Sequence, residues 1–340
     1  MQRWSYRVGL PIVIIISLVL MYRWFWRGPT DPLVVYCAHD AMFSKQILDT
    51  FQSRTNIRLD VRLDNEVTKS LGLTEQLIAE RENPRCDVFW NNQMLGTLDL
   101  AERGILHPYR GPGYERIGQR FKDPQGRFAG FAARMRVYIV NTERLEPDPG
   151  LIEQRLTGDL SRVAMAKPLW GTTLTHYAVL WHLWGPEKLR AWRRDWHQRG
   201  AVEAVGNAHV KDLVAEGKCD LGLTDTDDFF VAKGAGLPVA MRPVRVGEGQ
   251  VICIPNTVAI IRGTDRLEDA KKLVDFLLSE EVELMLAASQ ARQIPLGPVD
   301  ESQLSDEVRR LKAWSTESYD LNGLLEARRA VLAWLKSELL

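Results

Sequence analysis

The chain has 340 residues with 45% hydrophobic content, enough for one large globular lobe or two ordinary ones with a substantial core. Lys plus Arg and Asp plus Glu both number 44, so the formal charge is zero and the composition offers no basic field for nucleic acid. The four cysteines, Cys37, Cys86, Cys219 and Cys253, form no CxxC or Cys/His grouping, which excludes the usual zinc and redox motifs and suits small buried hydrophobes; outside the cytoplasm a disulfide would be allowed, without spacing to choose the pair.

Residues 8–22 are almost wholly apolar, preceded by Arg3 and Arg7 and followed by Arg23. The run is short for a membrane span, yet Trp4 and Tyr6 on one side and Trp24 and Trp26 on the other sit like interfacial belts. Met21-Tyr22-Arg23-Trp24 lacks the small residues of a signal-peptidase site. Residues 1–32 are therefore expected to be an uncleaved anchor and linker in preference to a cleaved signal.

Leu33 to Tyr36 reads as a compact strand, Phe43, Ile47, Leu48 and Phe51 recur at helical spacing, and Ile57 to Leu63 alternates as a strand. A helix through Leu77 and Ile78 ends before Pro84, and Asp87 to Trp90 is a third strand. This βαβαβ order implies a parallel sheet. A helix from Met94 to Gly104 follows, and the text to Val140 ends in a long strand. Beyond Pro147 and Pro149 the theme repeats: strand Val163 to Ala166, a turn at Leu169 to Thr173, one helix to Trp184 and another from Pro186. Gln250 to Arg262 is again a long strand, Leu267 to Leu277 a helix, and Leu324 to Leu340 an amphipathic helix expected to pack outside one lobe.

The densest polar stretch is Cys219 to Phe230, where a strand with Leu221 and Leu223 runs into Thr224, Asp225, Thr226, Asp227 and Asp228 ahead of a helix. A cap needs one or two such residues; five at the carboxyl end of a strand mark a ligand loop, since open α/β sheets bind there. Asp40, Asn91, Asn92 and Gln93 follow the first and third strands and would face the same cleft. Arg134 and Arg136 share a strand face and suit phosphoryl oxygens bidentately.

These pieces resemble the extracellular solute-binding proteins of ATP-driven importers, in the branch of ferric-binding and aminoethylphosphonate-binding proteins. The resemblance covers Leu33 to Val299 and is carried by CDVFWNNQ at Cys86, GRFAGFAARMRVYIVNTERL at Gly126, the Lys167 to Thr173 turn, GNAHVKDLVAEGKCDLGLTDTDD at Gly206 and ARQIPLGP at Ala291. It implies a type II periplasmic-binding-protein fold: two doubly wound α/β lobes joined by crossing strands, with lobe one at 33–135 plus 263–300, lobe two at 136–262 and C-terminal helices at 301–340. It also implies a small-molecule ligand closed between the lobes, an ABC permease and ATPase as partners, an extracytoplasmic site tethered to the inner membrane by the N-terminal segment, and no catalysis.

The branch holds an anion where Gly171, Thr172 and Thr173 stand, a glycine with hydroxyls at a helix start. Ferric-binding members place paired tyrosines near Thr226 and Asp227, a histidine near His39 and Asp40, and a glutamate near Asn92. The tyrosine pair is missing here. The implied ligand is a phosphonate-like or phosphate-like zwitterion, or a metal ion with a phosphate-like anion, with Asp40, Asp225 and Asp227 as candidate cation partners. Ferric transport through carboxylates and a membrane-tethered sensor remain alternatives. A phosphoryl hydrolase built on Asp225, Asp227 and Asp228 is a third, against which stands the absence of any HExxH, GxSxG or P-loop pattern.

Overall fold

The computed structural model describes residues 31–64 and 71–339, so the apolar segment at residues 8–22 lies outside the described residues. Among the described residues no helix is long and apolar enough to cross a membrane.

The amino-terminal lobe begins with β1 (Leu33–Cys37), α1 (Ala41–Thr55), β2 (Leu59–Leu63), α2 (Leu71–Ala79), β3 (Val88–Asn91) and α3 (Met94–Glu102). The Leu-Val-Val-Tyr-Cys run of β1 pairs in parallel with both β2 and β3, as near-continuous burial of a central strand requires. Phe43, Ile47, Leu48 and Phe51 turn the buried face of α1 onto it. After β4 (Leu106–His107) and the short α4 (Pro112–Glu115) comes β5 (Ala129–Asn141), the chain's longest strand among the described residues.

The second lobe comprises α5 (Pro149–Thr157), β6 (Val163–Ala166), α6 (Gly171–Gln198), β7 (Val202–Ala204), α7 (Asn207–Ala215), β8 (Leu221–Asp225), α8 (Thr226–Gly234) and β9 (Val239–Pro243). Helix α6 is two helices joined at a kink, because Gly185 takes a left-handed φ of 78° and Pro186 removes a donor. The hairpin β10 (Arg245–Val246) and β11 (Gln250–Val251) leads into β12 (Cys253–Ile261), so the text that reads as one long strand is broken at Ile252. Helices α9 (Leu267–Leu277), α10 (Glu280–Ala288), α11 (Asp306–Ser315) and α12 (Leu325–Leu339) complete the chain.

The strand order is β2-β1-β3-β12-β5-β8-β6-β7. Residues 129–135 of β5 pair antiparallel with β12, whereas residues 136–141 pair with β8 and β9. One strand thus belongs to the sheets of both lobes, and the lobes meet along it.

Helix α12 does not sit on one lobe as the sequence suggests: it packs against both α3 and α6. Its Arg328 and Arg329 reach Asp99 of α3 while its Trp334 meets Trp181 of α6. A single apolar cluster runs from Tyr36, Phe89 and Leu98 through Val331 and Leu335 to Val163 and Tyr177. The four cysteines are buried.

Candidate functional site

Between the lobes lies a cavity of about 480 Å³, within the ~300–1,000 Å³ range of small-molecule sites. Four helices present their first turns to it: α1 with Asp40 to Phe43, α6 with Trp170 to Thr173, α7 with Gly206 to Ala208, and α8 with Asp225, Asp227 and Asp228. None of the four has its amides capped by the side chain of its N-cap residue. The first amides of a helix have no intrahelical acceptor, and the helix dipole adds positive potential there. In α6 the Leu174 amide is the first to bond back, to the Trp170 carbonyl. The amides of Gly171, Thr172 and Thr173 therefore lack intrahelical acceptors. Gly171 holds a φ of 58° with open space where a Cβ would stand, which lets a ligand approach the backbone.

Nine residues singled out in the sequence line this cavity: Asp40, Asn92, Arg134, Gly171, Thr172, Thr173, Asp225, Asp227 and Asp228. Arg136 and Thr226 do not. Arg136 is 0% exposed and its Nη1 lies 2.8 Å from Asp225 Oδ1, while Thr226 Oγ1 accepts from the Met135 amide at 3.1 Å. The two arginines share a strand face, but only Arg134 reaches the cavity; Arg136 is drawn into lobe two by Asp225, its register partner on β8.

Asp225 is fully engaged. Besides Arg136, its carboxylate accepts from Thr172 Oγ1 and from Asn207 Nδ2 at 2.9 Å. Thr173 Oγ1 donates to Asn207 Oδ1 at 3.1 Å, so both threonine hydroxyls are spent inside the protein and the α6 backbone is what remains for a ligand. Asp225, Asp227 and Asp228 bring ligand oxygens within 4.8 Å of one another. Burial, and then the Asp227 and Asp225 charges, push the Asp228 carboxyl up to about 7. Arg134 Nε lies 3.4 Å from Asp227 Oδ2. Asn92, 4% exposed, leaves Oδ1 without a hydrogen-bond partner.

Sequence reasoning missed Lys167, Asn207 and Lys211, which also line the cavity. Lys167 has no ion pair among the described residues, whereas Lys211 is held by Asp212 at 2.6 Å. The signal that would have found Lys167 and Asn207 is the one used for the others, position in the turn after a strand.

The cleft between two α/β lobes spanned by a shared strand defines a two-lobed binding protein. A family model of bacterial extracellular solute-binding proteins matches residues 33–289, and the chain belongs to that family. A protein of Haemophilus influenzae is 24% identical over 317 residues, covering 88% of each chain. Among solved structures, iron-bound HitA from Pseudomonas aeruginosa superposes with a TM-score of 0.77 at 20% identity, covering 91% of this chain and 99% of its own. AfuA from Actinobacillus pleuropneumoniae, with exogenous fructose-6-phosphate bound, gives 0.74 at 21% identity, covering 90% and 98%. The chain is thus an extracytoplasmic solute-binding receptor of an ABC-type uptake system rather than an enzyme.

Proposed function

We propose that the solute is a small phosphorylated or phosphonate-bearing organic molecule whose oxyanion rests on the first turn of α6. The observation that carries this reading is the convergence on one cavity of four helix starts that their N-cap side chains leave uncapped, that of α6 foremost, beside Lys167 and Arg134. Asp40, Asn92 and Asp227 would take an amine or hydroxyl group on the rest of the molecule. The cavity volume fits an organic phosphate better than a bare ion. A fructose-6-phosphate complex of AfuA supports the ligand class. Ferric binding is disfavoured because no tyrosine lines the cavity among the described residues and Asp225 already neutralises Arg136. Binding would draw lobe two (136–262) onto lobe one (33–135 with 263–300) about β5 and β12, while residues 8–22 hold the receptor at the membrane. Calorimetry with inorganic phosphate, aminoethylphosphonate, fructose-6-phosphate and ferric citrate tests the ligand. Heat from the phosphorylated compounds is expected, and tight ferric binding that survives Asp227→Ala would refute the reading.

A further inference from the structure

We propose that Asn256, which does not line the cavity, is the positioning residue that aims Arg134 at the bound anion; this rests on the reading of Arg134 as a ligand contact. The device is a β-bulge in β5. On β12, Pro255 faces Ala133 and Asn256 faces Phe131, so Ala132 is an extra residue, with a left-handed φ of 39° that a non-glycine rarely adopts. In an unbroken strand residues 131 and 133 would share a face. Here they oppose adjacent residues of β12 and point oppositely, so Arg134 takes the face that Phe131 holds before the bulge. Phe131 packs on Trp90 with ring centroids 5.4 Å apart, and Arg134 emerges in the cavity.

Two buried side chains hold the bulge. Glu283, 0% exposed, accepts from the Ala132 amide at 3.1 Å and is fixed in turn by the Leu296 amide at 2.7 Å, the Gly297 amide at 3.0 Å and Arg116 Nη1 at 2.7 Å. Asn256 Nδ2 donates to the Ala132 carbonyl and to Gln293 Oε1 at 2.8 Å. With its amide nitrogen committed there, Asn256 can present only Oδ1 to Arg134, and it accepts from Nη2 at 3.1 Å. Asp227 faces Nε. Among the described residues Nε itself makes no hydrogen bond within the protein, although Asp227 lies beside it. A flipped Asn256 would set two donors against each other, so bulge and guanidinium direction are locked together.

The test titrates the full-length protein with inorganic phosphate and follows the Arg134 Nε–H signal by NMR, assigned by its loss in Arg134→Lys. Asn256→Ala is expected to weaken phosphate binding about tenfold, the scale of one hydrogen bond to a charged group, and to broaden the Nε–H signal. In an Arg134→Ala background the same change should add nothing; an equal loss in both backgrounds overturns the proposal, as does an unchanged Nε–H signal. If Asn256→Ala does not fold, Gln293→Ala releases Asn256 more gently and should weaken binding about threefold through the same lost restraint. An Arg134→Ala variant with undiminished affinity would remove the ligand contact and this inference with it. If the unaltered protein takes up no phosphate, the proposed ligand class falls alone, and the Nε–H signal still decides the positioning.

Discussion

Arg136 and Asp225 are direct register partners on β5 and β8, and their side chains meet at 2.8 Å with 0% and 4% side-chain exposure. This pair joins the strand shared by both lobes to the loop that opens α8. It also consumes the charge of the most conspicuous aspartate in the cleft. The pair therefore adds little net charge to the cavity, where Lys167 and Arg134 lie beside the helix starts.

Removing one partner of such a pair leaves a buried charge unmatched, which costs about 3–5 kcal/mol, whereas an apolar replacement of both is far milder. Arg136→Met should destabilise by that amount in urea unfolding, and Arg136→Met with Asp225→Leu should recover part of it. A single-variant loss under about 1 kcal/mol, the range of exposed pairs, would show that water reaches the pair in solution.

Lys167 and Lys211 provide an internal comparison at the cavity wall. Lys167 lacks an ion pair among the described residues, while Lys211 is paired with Asp212 at 2.6 Å. Lys167→Ala should therefore weaken binding of a phosphorylated probe about tenfold, and more at low salt than at high salt. Lys211→Ala should have the smaller effect. Equal losses from the two variants would contradict the placement of the oxyanion beside α6.

His176 is buried in lobe two, where burial and then the charge of Arg136 lower its value from 6.5 to about 3. The folded protein keeps it neutral, while the unfolded chain binds a proton below about 6.5. Its contribution is thus present above that pH and is lost as pH falls toward 3. Asp228 acts oppositely: raised from 3.8 to about 7, it makes the folded state the stronger proton binder in between, so its effect disfavours folding as pH rises. Comparing parent with His176→Phe cancels the Asp228 effect. The variant should lose less stability between pH 7 and pH 4.5, read from denaturation midpoints. Parallel curves would assign acid sensitivity elsewhere.

Local pattern made much of this fold legible. β1 and α1 were visible because apolar residues repeat with a strand or helix period, and the α6 kink because Gly185-Pro186 punctuates the text. The turns that line the cavity could be placed by their position after strands, including Asp40, Asn92 and Asp227. Which polar residues are already satisfied could not be read, because that depends on partners far along the chain. Arg136 and Asp225 are 89 residues apart. The Ala132 bulge was hidden for a similar reason: its signal is a mismatch against β12, and nothing in Phe131-Ala132-Ala133 announces it.

Helix α12 ties the lobes, and its hold on lobe one combines apolar packing with buried ion pairs to Asp99. Asp99 of α3 receives Arg328 Nη1 at 3.1 Å and Arg329 Nη2 at 2.6 Å, with Arg103 Nε at 3.1 Å on its own helix. Although burial alone would raise it, hydrogen bonds from Arg329 and Arg103 bring the Asp99 carboxyl below its ordinary value. Toward lobe two the contact includes the Trp334–Trp181 pair, ring centroids 5.8 Å apart, with Arg190 over the Trp334 ring. Arg103 and Arg329 are half-exposed and can return to water when Asp99 is neutralised. Arg328, 3% exposed, cannot. Asp99→Asn should therefore loosen α12 from α3 while its Trp334 side stays seated. Hydrogen exchange should speed up by about tenfold or more in residues 325–339, the signature of local opening, with β1 and β3 unaffected. Unchanged exchange in α12 would show that apolar packing alone secures it, and faster exchange throughout would show that Asp99 supports the whole fold rather than this tie.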